Sequence, residues 1–216
     1  MNLITLYLSS IITAYFLGSI PFGLLIGKIN KINIREHGSG NIGATNVLRT
    51  LGKKWGYACF FLDFLKGLLP VLLLSNFAKS QDVSELAKAW VPAVVMIATV
   101  CGHIFSIFLK FKGGKGVATS AGAIIALSPA VLLSGLVVWL ILFKAKGYVS
   151  LASILAGICL PFFEILRSLI SQTAISVPNL VIFSLAAVLV TLMHKSNIKR
   201  LREGTEASFK KKKEVK

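Results

Sequence analysis

Between Gly102 and Thr119 the chain reads GHIFSIFLKFKGGKGVAT. This stretch leaves an apolar run, carries His103, and opens into Lys110, Lys112, Gly113, Gly114, Lys115 and Gly116. Glycines let backbone N–H groups turn toward a bound anion, and lysines add charge without demanding one geometry. Val117 begins another apolar run. If that run is helical, its first amides add positive potential at the same place. The chemistry implied is a phosphate cradle of Gly113, Gly114, Lys115 and Gly116, with Lys110 beside it. Nucleotide hydrolysis does not fit, because Leu109 stands where a P-loop needs glycine and Gly116 where Ser or Thr would hold magnesium. His103 lies about two helical turns before the loop and is a candidate acid or base.

Two more segments carry polar groups at close spacing. The first is His37-Gly38-Ser39-Gly40-Asn41-Ile42-Gly43-Ala44-Thr45-Asn46, followed by Arg49. It matches GxGxxG in form, but a dinucleotide fingerprint needs a preceding strand and a βαβ unit, and the flank NIREH is short and polar. What remains is a glycine-loosened loop offering Ser39, Asn41, Thr45, Asn46 and Arg49 as hydrogen-bonding groups. The second is His194-Lys195-Ser196-Asn197-Ile198-Lys199-Arg200-Leu201, then Gly204-Thr205-Glu206. If the preceding helix continues, His194, Asn197 and Leu201 share one face. Glu206 is placed to pair with a basic residue and hold the segment down.

Several mechanisms are set aside. There is no GxSxG elbow and no HExxH, and no histidine is followed four or five residues on by aspartate. Cys59, Cys101 and Cys159 lie inside apolar runs at spacings that fit no zinc pattern, so they are expected as small core residues. No metal and no cofactor is expected.

The elements that must position these groups are membrane spans. The chain is 55% hydrophobic with a formal net charge of +16. Its mean hydropathy of +0.78 is far too apolar for an ordinary soluble domain. The apolar mass falls into runs at about 3–27, 55–78, 88–109, 117–143, 148–166 and 179–193, with a basic tail over 194–216. The first run lacks a basic n-region and extends past a typical signal h-region, so it is expected to remain as a span. Gly18, Gly23 and Gly27 suit close helix approach there, and Pro21 a kink. Asp63 and Lys66 lie three apart within the second run and are expected to neutralise each other as a structural pair.

Charge placement settles how 117–143 divides. Ser128–Pro129 offers a break, because the residue before proline is pushed out of helix. With spans at 117–128 and 129–143, loops 28–54, 110–116 and 144–147 and the tail share one side. They then hold 20 of the 24 lysines and arginines. The positive-inside bias therefore predicts an all-α, polytopic integral membrane protein of one domain with seven transmembrane helices. Its N-terminus is expected outside, and the C-terminus and motif loops in the cytoplasm. The same bias accounts for the basic charge without nucleic acid. The run Lys210 to Lys213 is expected to lie on anionic lipid.

Taken together, GSGNIGATNVLR, GHxFxxFLKFKGGKGVAT and HxxNIxRLxxGTE resemble the three signature loops of the bacterial membrane glycerol-3-phosphate acyltransferases that use acyl phosphate, the PlsY family. The span pattern is similar too, so the resemblance covers nearly the whole chain. Ile42 and Ser106 each stand where that family often has proline, and neither carries a chemical group with an assigned role. The resemblance implies that the 1-hydroxyl of glycerol 3-phosphate attacks the carbonyl of an acyl phosphate, giving lysophosphatidic acid and phosphate. It implies that Ser39 and Arg49 are essential, that Gly113, Gly114, Lys115 and Gly116 hold the glycerol-3-phosphate phosphate, that His194 and Asn197 complete the site, and that Glu206 is structural. It further implies a bacterial inner-membrane location, contact with membrane lipids and transient contact with the soluble enzyme that makes acyl phosphate.

The residues agree with that chemistry. Two phosphorylated substrates call for two basic, glycine-rich loops, and an acyl chain calls for apolar walls. Negative charge gathering on the carbonyl oxygen and leaving phosphate would meet Arg49, Lys115 and backbone donors. Direct transfer without an acyl-enzyme is expected, since an acyl phosphate is already activated. His103, His194 and the substrate's own phosphate are three candidate bases. An anion transporter would show repeats or charges deep in several spans, and only Asp63 and Lys66 qualify. A CDP-alcohol transferase would need clustered aspartates, and the chain's eight acids are dispersed.

Overall fold

A computed structural model describes residues 2–210, all helical or irregular with no strand among them. The chain forms two compact units, Met1–Pro129 and Ala130–Lys216. The first holds α1 (Leu3–Ser19), α2 (Phe22–Ile29), α3 (Ala44–Leu51), α4 (Lys53–Lys79), α5 (Glu85–Ile104) and α6 (Val117–Leu127). The second holds α7 (Pro129–Lys146, beginning at the boundary), α8 (Val149–Ile170), α9 (Val177–Met193) and α10 (Lys195–Arg202).

Proline sets two of the breaks. Ile20, before Pro21, is extended, so α1 and α2 part there, and Leu3–Ile29 remains one apolar stretch with the expected break at its proline. Ser128, before Pro129, is likewise non-helical and divides 117–143 at the expected place. Pro70, Pro92 and Pro161 instead sit inside α4, α5 and α8. Apolar helices tolerate them where neighbours satisfy the freed carbonyls.

Small residues close the first unit. A Cβ on Gly18 would overlap the Thr99 carbonyl, and one on Gly102 would overlap that of Tyr15, so α1 and α5 touch backbone to backbone. Gly67 against Thr119 and Gly122 against Phe64 do the same for α4 and α6. This is the small-residue packing that replaces hydrophobic driving force where the surroundings are lipid. Two polar ties lock the α1–α5 contact at one end: the Tyr15 hydroxyl donates to the Phe105 carbonyl at 2.7 Å, and Ser106 Oγ to the Ser19 carbonyl at 2.6 Å. Cys59 is buried, whereas Cys101 and Cys159 are only partly covered.

Outward faces are apolar. Phe61, Leu73, Leu133, Ile141 and Ile158 are all exposed, which fits lipid rather than water. Five helical stretches are long and apolar enough to cross a bilayer: Leu3–Ile29, Lys53–Lys79, Glu85–Leu109, Pro129–Lys146 and Val149–Ile170. A sixth is reached by joining α9 to α10 across a bend of 58°. The 11 residues of α6 extend about 16 Å, roughly half the hydrocarbon thickness. The count of seven expected crossings therefore exceeds what helix length alone supports.

Within the second unit, Trp139 Nε1 donates to Ser153 Oγ at 3.1 Å, joining α7 to α8. Helix α8 runs past its expected end at 166. Its fully buried Glu164 is clamped there by Arg167, with Nε and Nη2 at 3.0 and 2.9 Å from the two carboxylate oxygens.

Candidate active site

The first polar segment was expected as a loop, yet its second half is helix. Ala44, Val47, Leu48 and Leu51 recur at helical spacing between Gly43 and Gly52, and Val47 is buried in a small core with Ile26, Ile34 and Cys59. Thr45, Asn46 and Arg49 are thus held on α3, with Thr45 and Arg49 one turn apart on one face.

Asn46 organises the loop before it. Its Oδ1 accepts the Ser39 N–H at 2.9 Å, and its Nδ2 donates to the Ile34 and His37 carbonyls at 3.1 and 3.0 Å. The side chain is buried, with both amide hydrogens spent on backbone. Asn46, expected among the substrate-binding groups, thus has its side chain on the backbone of its own loop and holds Ser39 in place. Gly38 and Gly40 take left-handed φ of 59° and 69° so that the loop can wrap this amide. Asn41 Oδ1 caps the Gly43 N–H at 2.8 Å. Ser39 and Arg49 are exposed on the outer side.

The second segment folds back on the end of α5. The Gly113 N–H donates to the Ile104 carbonyl at 2.8 Å and the Gly114 N–H to the His103 carbonyl at 3.0 Å. Both amides, expected to face an anion, are thus turned inward. The reason these positions are glycine is proximity: a Cβ on Gly113 would overlap the His103 carbonyl, and one on Gly114 the His103 ring. Lys115 and Gly116 follow, and Gly116 at φ 81° is the N-cap of α6, whose first-turn amides have no partner within the helix. Lys110 is exposed, in the left-handed region at φ 51°. Arg35, which the sequence did not single out, joins the two segments by donating from Nη2 to the Lys112 carbonyl.

His103 is buried beneath this loop. Its Nδ1 lies 3.7 Å from Asp63 Oδ1, and that same oxygen lies 2.8 Å from Lys66 Nζ. The expected Asp63–Lys66 pair is present, with His103 added from a second helix.

The third segment lies in the second unit, and it bends at His194 instead of continuing α9 straight. His194 is buried, with Nδ1 2.7 Å from the Val190 carbonyl. Glu206 gathers the segment: Oε1 accepts from Asn197 Nδ2 at 2.7 Å and from Ser150 Oγ at 2.6 Å, and Oε2 accepts from Arg200 Nε at 2.8 Å. Burial pushes the Glu206 carboxyl up, but these hydrogen bonds and the Arg200 charge outweigh it and hold the group below the usual carboxylate range. Lys210 Nζ donates to the Ala145 carbonyl at 2.7 Å, so it ties the tail to the end of α7. Lys211, Lys212 and Lys213, expected on anionic lipid, lie outside the described residues.

Fold and site together define a helical integral membrane protein whose interhelical loops concentrate glycines and cations. The family model described as glycerol-3-phosphate acyltransferase matches residues 8–204. Glycerol-3-phosphate acyltransferases of Trichlorobacter lovleyi and Aquifex aeolicus are 46% and 44% identical, over 91% and 92% of this chain and 94% and 97% of theirs. The crystal structure of PlsY, an integral membrane glycerol 3-phosphate acyltransferase, in its glycerol 3-phosphate form is similar at TM-score 0.84 and 42% identity, covering 94% of this chain and 96% of that one. Its lysophosphatidic acid form matches at TM-score 0.81. This chain belongs to the glycerol-3-phosphate acyltransferase family of the PlsY type.

Proposed function

We propose that this protein transfers a fatty acyl group from acyl phosphate to the sn-1 hydroxyl of glycerol 3-phosphate, as the first acylation step of phospholipid synthesis. The observation that carries the proposal is the joining of two polar segments at one end of the first unit. Arg35 ties the Ser39–Arg49 segment to a lysine–glycine loop that opens onto the start of α6. The relatives named above are acyltransferases of glycerol 3-phosphate, and PlsY has been crystallised with that substrate and with lysophosphatidic acid.

In this reading the substrate phosphate meets Lys115, Gly116 and the α6 amides, where helix dipole and lysine charge add. Gly113 and Gly114 serve by letting the loop close on α5. Ser39, Asn41, Thr45 and Arg49 contact the second phosphate and the acyl carbonyl. The glycerol oxygen forms a bond to the carbonyl carbon, the carbon–oxygen bond to phosphate breaks, and the hydroxyl proton passes to a base. The resemblance assigns His194 and Asn197 to the same reaction. His194 Nδ1 sits on a carbonyl that can only accept, so Nδ1 carries the hydrogen and, in the neutral ring, Nε2 keeps a lone pair. This tautomer supports His194 as the protein's base in the proposed reaction, which we write as direct transfer.

We read all seven apolar segments, α6 included, as crossings of the bacterial inner membrane with the basic loops in the cytoplasm. Acyl phosphate would reach this face from its soluble synthase. The test is purified protein in lipid, given palmitoyl phosphate and glycerol 3-phosphate, with phosphate release and lysophosphatidic acid followed together. Acyl-CoA serves as control donor and Lys115→Ala as control protein. Turnover with acyl phosphate alone and a raised KM for glycerol 3-phosphate in Lys115→Ala are expected. Equal turnover with acyl-CoA would overturn the donor assignment.

A further inference from the structure

A charged cluster lies buried beneath the phosphate loop. Asp63, Lys66 and His103 are 2%, 6% and 5% exposed. Such groups are costly inside a span unless they are used. Lys66 and Asp63 neutralise each other on α4 alone, 2.8 Å apart, so the ion pair does not by itself call for His103 beside the same carboxylate oxygen.

The contacts form a chain. Lys66 Nζ donates to the Ile20 carbonyl at 2.6 Å, at the break between α1 and α2. It also stands 5.5 Å from the centre of the Phe22 ring. Its partner Asp63 directs Oδ1 at both Lys66 and His103 Nδ1, while Oδ2 meets the Cys59 thiol at 3.8 Å. The far side of the imidazole is the wall on which Gly114 rests, with no room for a side chain between them. The backbone of His103 and Ile104 also receives both glycine amides. Gly114 is followed directly by Lys115. The Nε2 side of the His103 ring therefore lies against the loop, and Asp63 Oδ1 stands 3.7 Å from Nδ1 on the other side.

We propose that Asp63 is a positioning residue for the acyl transfer. By holding the His103 imidazole, it sets the seat of Gly114 and hence the place of Lys115 against the substrate phosphate. The inference rests on the acyltransferase reading. At 3.7 Å the Asp63–His103 approach is longer than a hydrogen bond. Shortening of this contact when substrate binds would give the loop a defined direction in which to close. His103 is on this account a prop beneath the loop, walled off by Asp63 and Gly114, and the base lies elsewhere.

The experiment uses the full chain in lipid nanodiscs and varies each substrate in turn. Asp63→Asn keeps the shape and removes the charge. Because it strands Lys66, the double variant Asp63→Asn with Lys66→Met is made beside it, removing both charges. Glycerol 3-phosphate binding is measured separately by calorimetry, and melting temperature is recorded for every variant. The expected result is a KM and Kd for glycerol 3-phosphate raised about tenfold or more in both variants, with the KM for acyl phosphate within about twofold and the double variant melting like the parent. Unchanged constants would overturn the proposal, as would both KM values rising together with a lowered melting temperature. If the parent chain binds glycerol 3-phosphate but fails to turn over, the acyltransferase reading falls. The calorimetric comparison then decides the positioning role alone: weaker binding in the variants supports it, and equal binding overturns it.

Discussion

Asn46 holds the backbone of Ser39: its Oδ1 accepts the Ser39 N–H at 2.9 Å while its Nδ2 reaches back to two carbonyls of the same loop. One buried amide thus decides where an exposed serine stands. Removing it strands the Ser39 N–H, while the His37 and Ile34 carbonyls lose one donor each and keep the Gly40 and His37 N–H groups at 3.0 and 3.4 Å. A stranded group costs roughly 1–3 kcal/mol when it stays buried. Asn46→Ala is expected to lower stability by about that amount for one group, since the exposed part of the loop can recruit water. Activity is expected to fall further than stability, by about tenfold or more in kcat/KM, because Ser39 is displaced. Asn46→Asp is the sharper variant. It keeps the acceptor for Ser39 but turns an oxygen toward the Ile34 and His37 carbonyls. It should be at least as damaging as alanine. A fully active Asn46→Asp would show that the loop is set by something other than this amide.

Arg35 is exposed and sits outside every motif singled out by sequence, yet it bridges the two polar segments through the Lys112 carbonyl. An exposed contact of this kind adds little to folding. Its loss should therefore leave the melting temperature within a degree or two while loosening one segment against the other. Arg35→Ala is expected to raise KM for glycerol 3-phosphate by about three- to tenfold, the scale of one net hydrogen bond. Arg35→Lys should recover part of the loss, because lysine reaches a carbonyl without the planar fork. Titrating initial rates over substrate concentration checks both. An unchanged KM in Arg35→Ala would remove Arg35 from the site.

Glu206 ties Ser150, Asn197 and Arg200 together, and its folded carboxyl is held below the ordinary value. A depressed carboxylate contributes stability that is present above the unfolded pKa, about 4.3 for glutamate. That contribution is lost as pH falls through the folded value. The tail clamp should thus be intact across the neutral range and release only in acid, below the usual carboxylate range. Glu206→Gln keeps an acceptor but loses the charge facing Arg200. It is expected to melt a few degrees lower at pH 7 and to approach the parent as pH falls through the folded carboxyl's depressed value. Thermal melts across that range test the sign; a gap that widens in acid would contradict it.

The sequence is most explicit where a single residue imposes geometry. Pro21 and Pro129 mark breaks that the helices observe, and Asp63 with Lys66 are close because three residues on a helix are always close. The family likeness was equally plain from three long motifs, and the whole-chain matches agree with it. Contacts between helices were hidden. No local spacing announces that His103 of α5 approaches Asp63 of α4, because the two lie forty residues apart. The glycine loop is ambiguous for a different reason. Glycine serves both for exposing amides and for close approach, and here Gly113 and Gly114 do the second. Helix α3 went unseen because two flanking glycines and several polar residues masked a four-residue apolar face. The spacing of Ala44, Val47, Leu48 and Leu51 was the available signal.

The hydrogen bond at His194 separates two roles that a simple deletion would merge. Its Nδ1 is 2.7 Å from the Val190 carbonyl, which can only accept, so this nitrogen bears the hydrogen and Nε2 is the basic atom. Asparagine places an amide hydrogen near the Nδ1 position and offers nothing at Nε2. Glutamine reaches toward Nε2 with a group that takes no proton. If His194 is the base, both substitutions lose the proton transfer, and kcat should fall about 10²–10⁴-fold in each. If the ring serves only to hold the turn at the end of α9, Asn should restore most of the activity while Gln does not. Single-turnover rates with palmitoyl phosphate, taken at saturating glycerol 3-phosphate, make the comparison independent of binding. A His194→Asn enzyme within about tenfold of the parent would assign proton removal to the substrate's own phosphate, since a positioned proton acceptor contributes more than that.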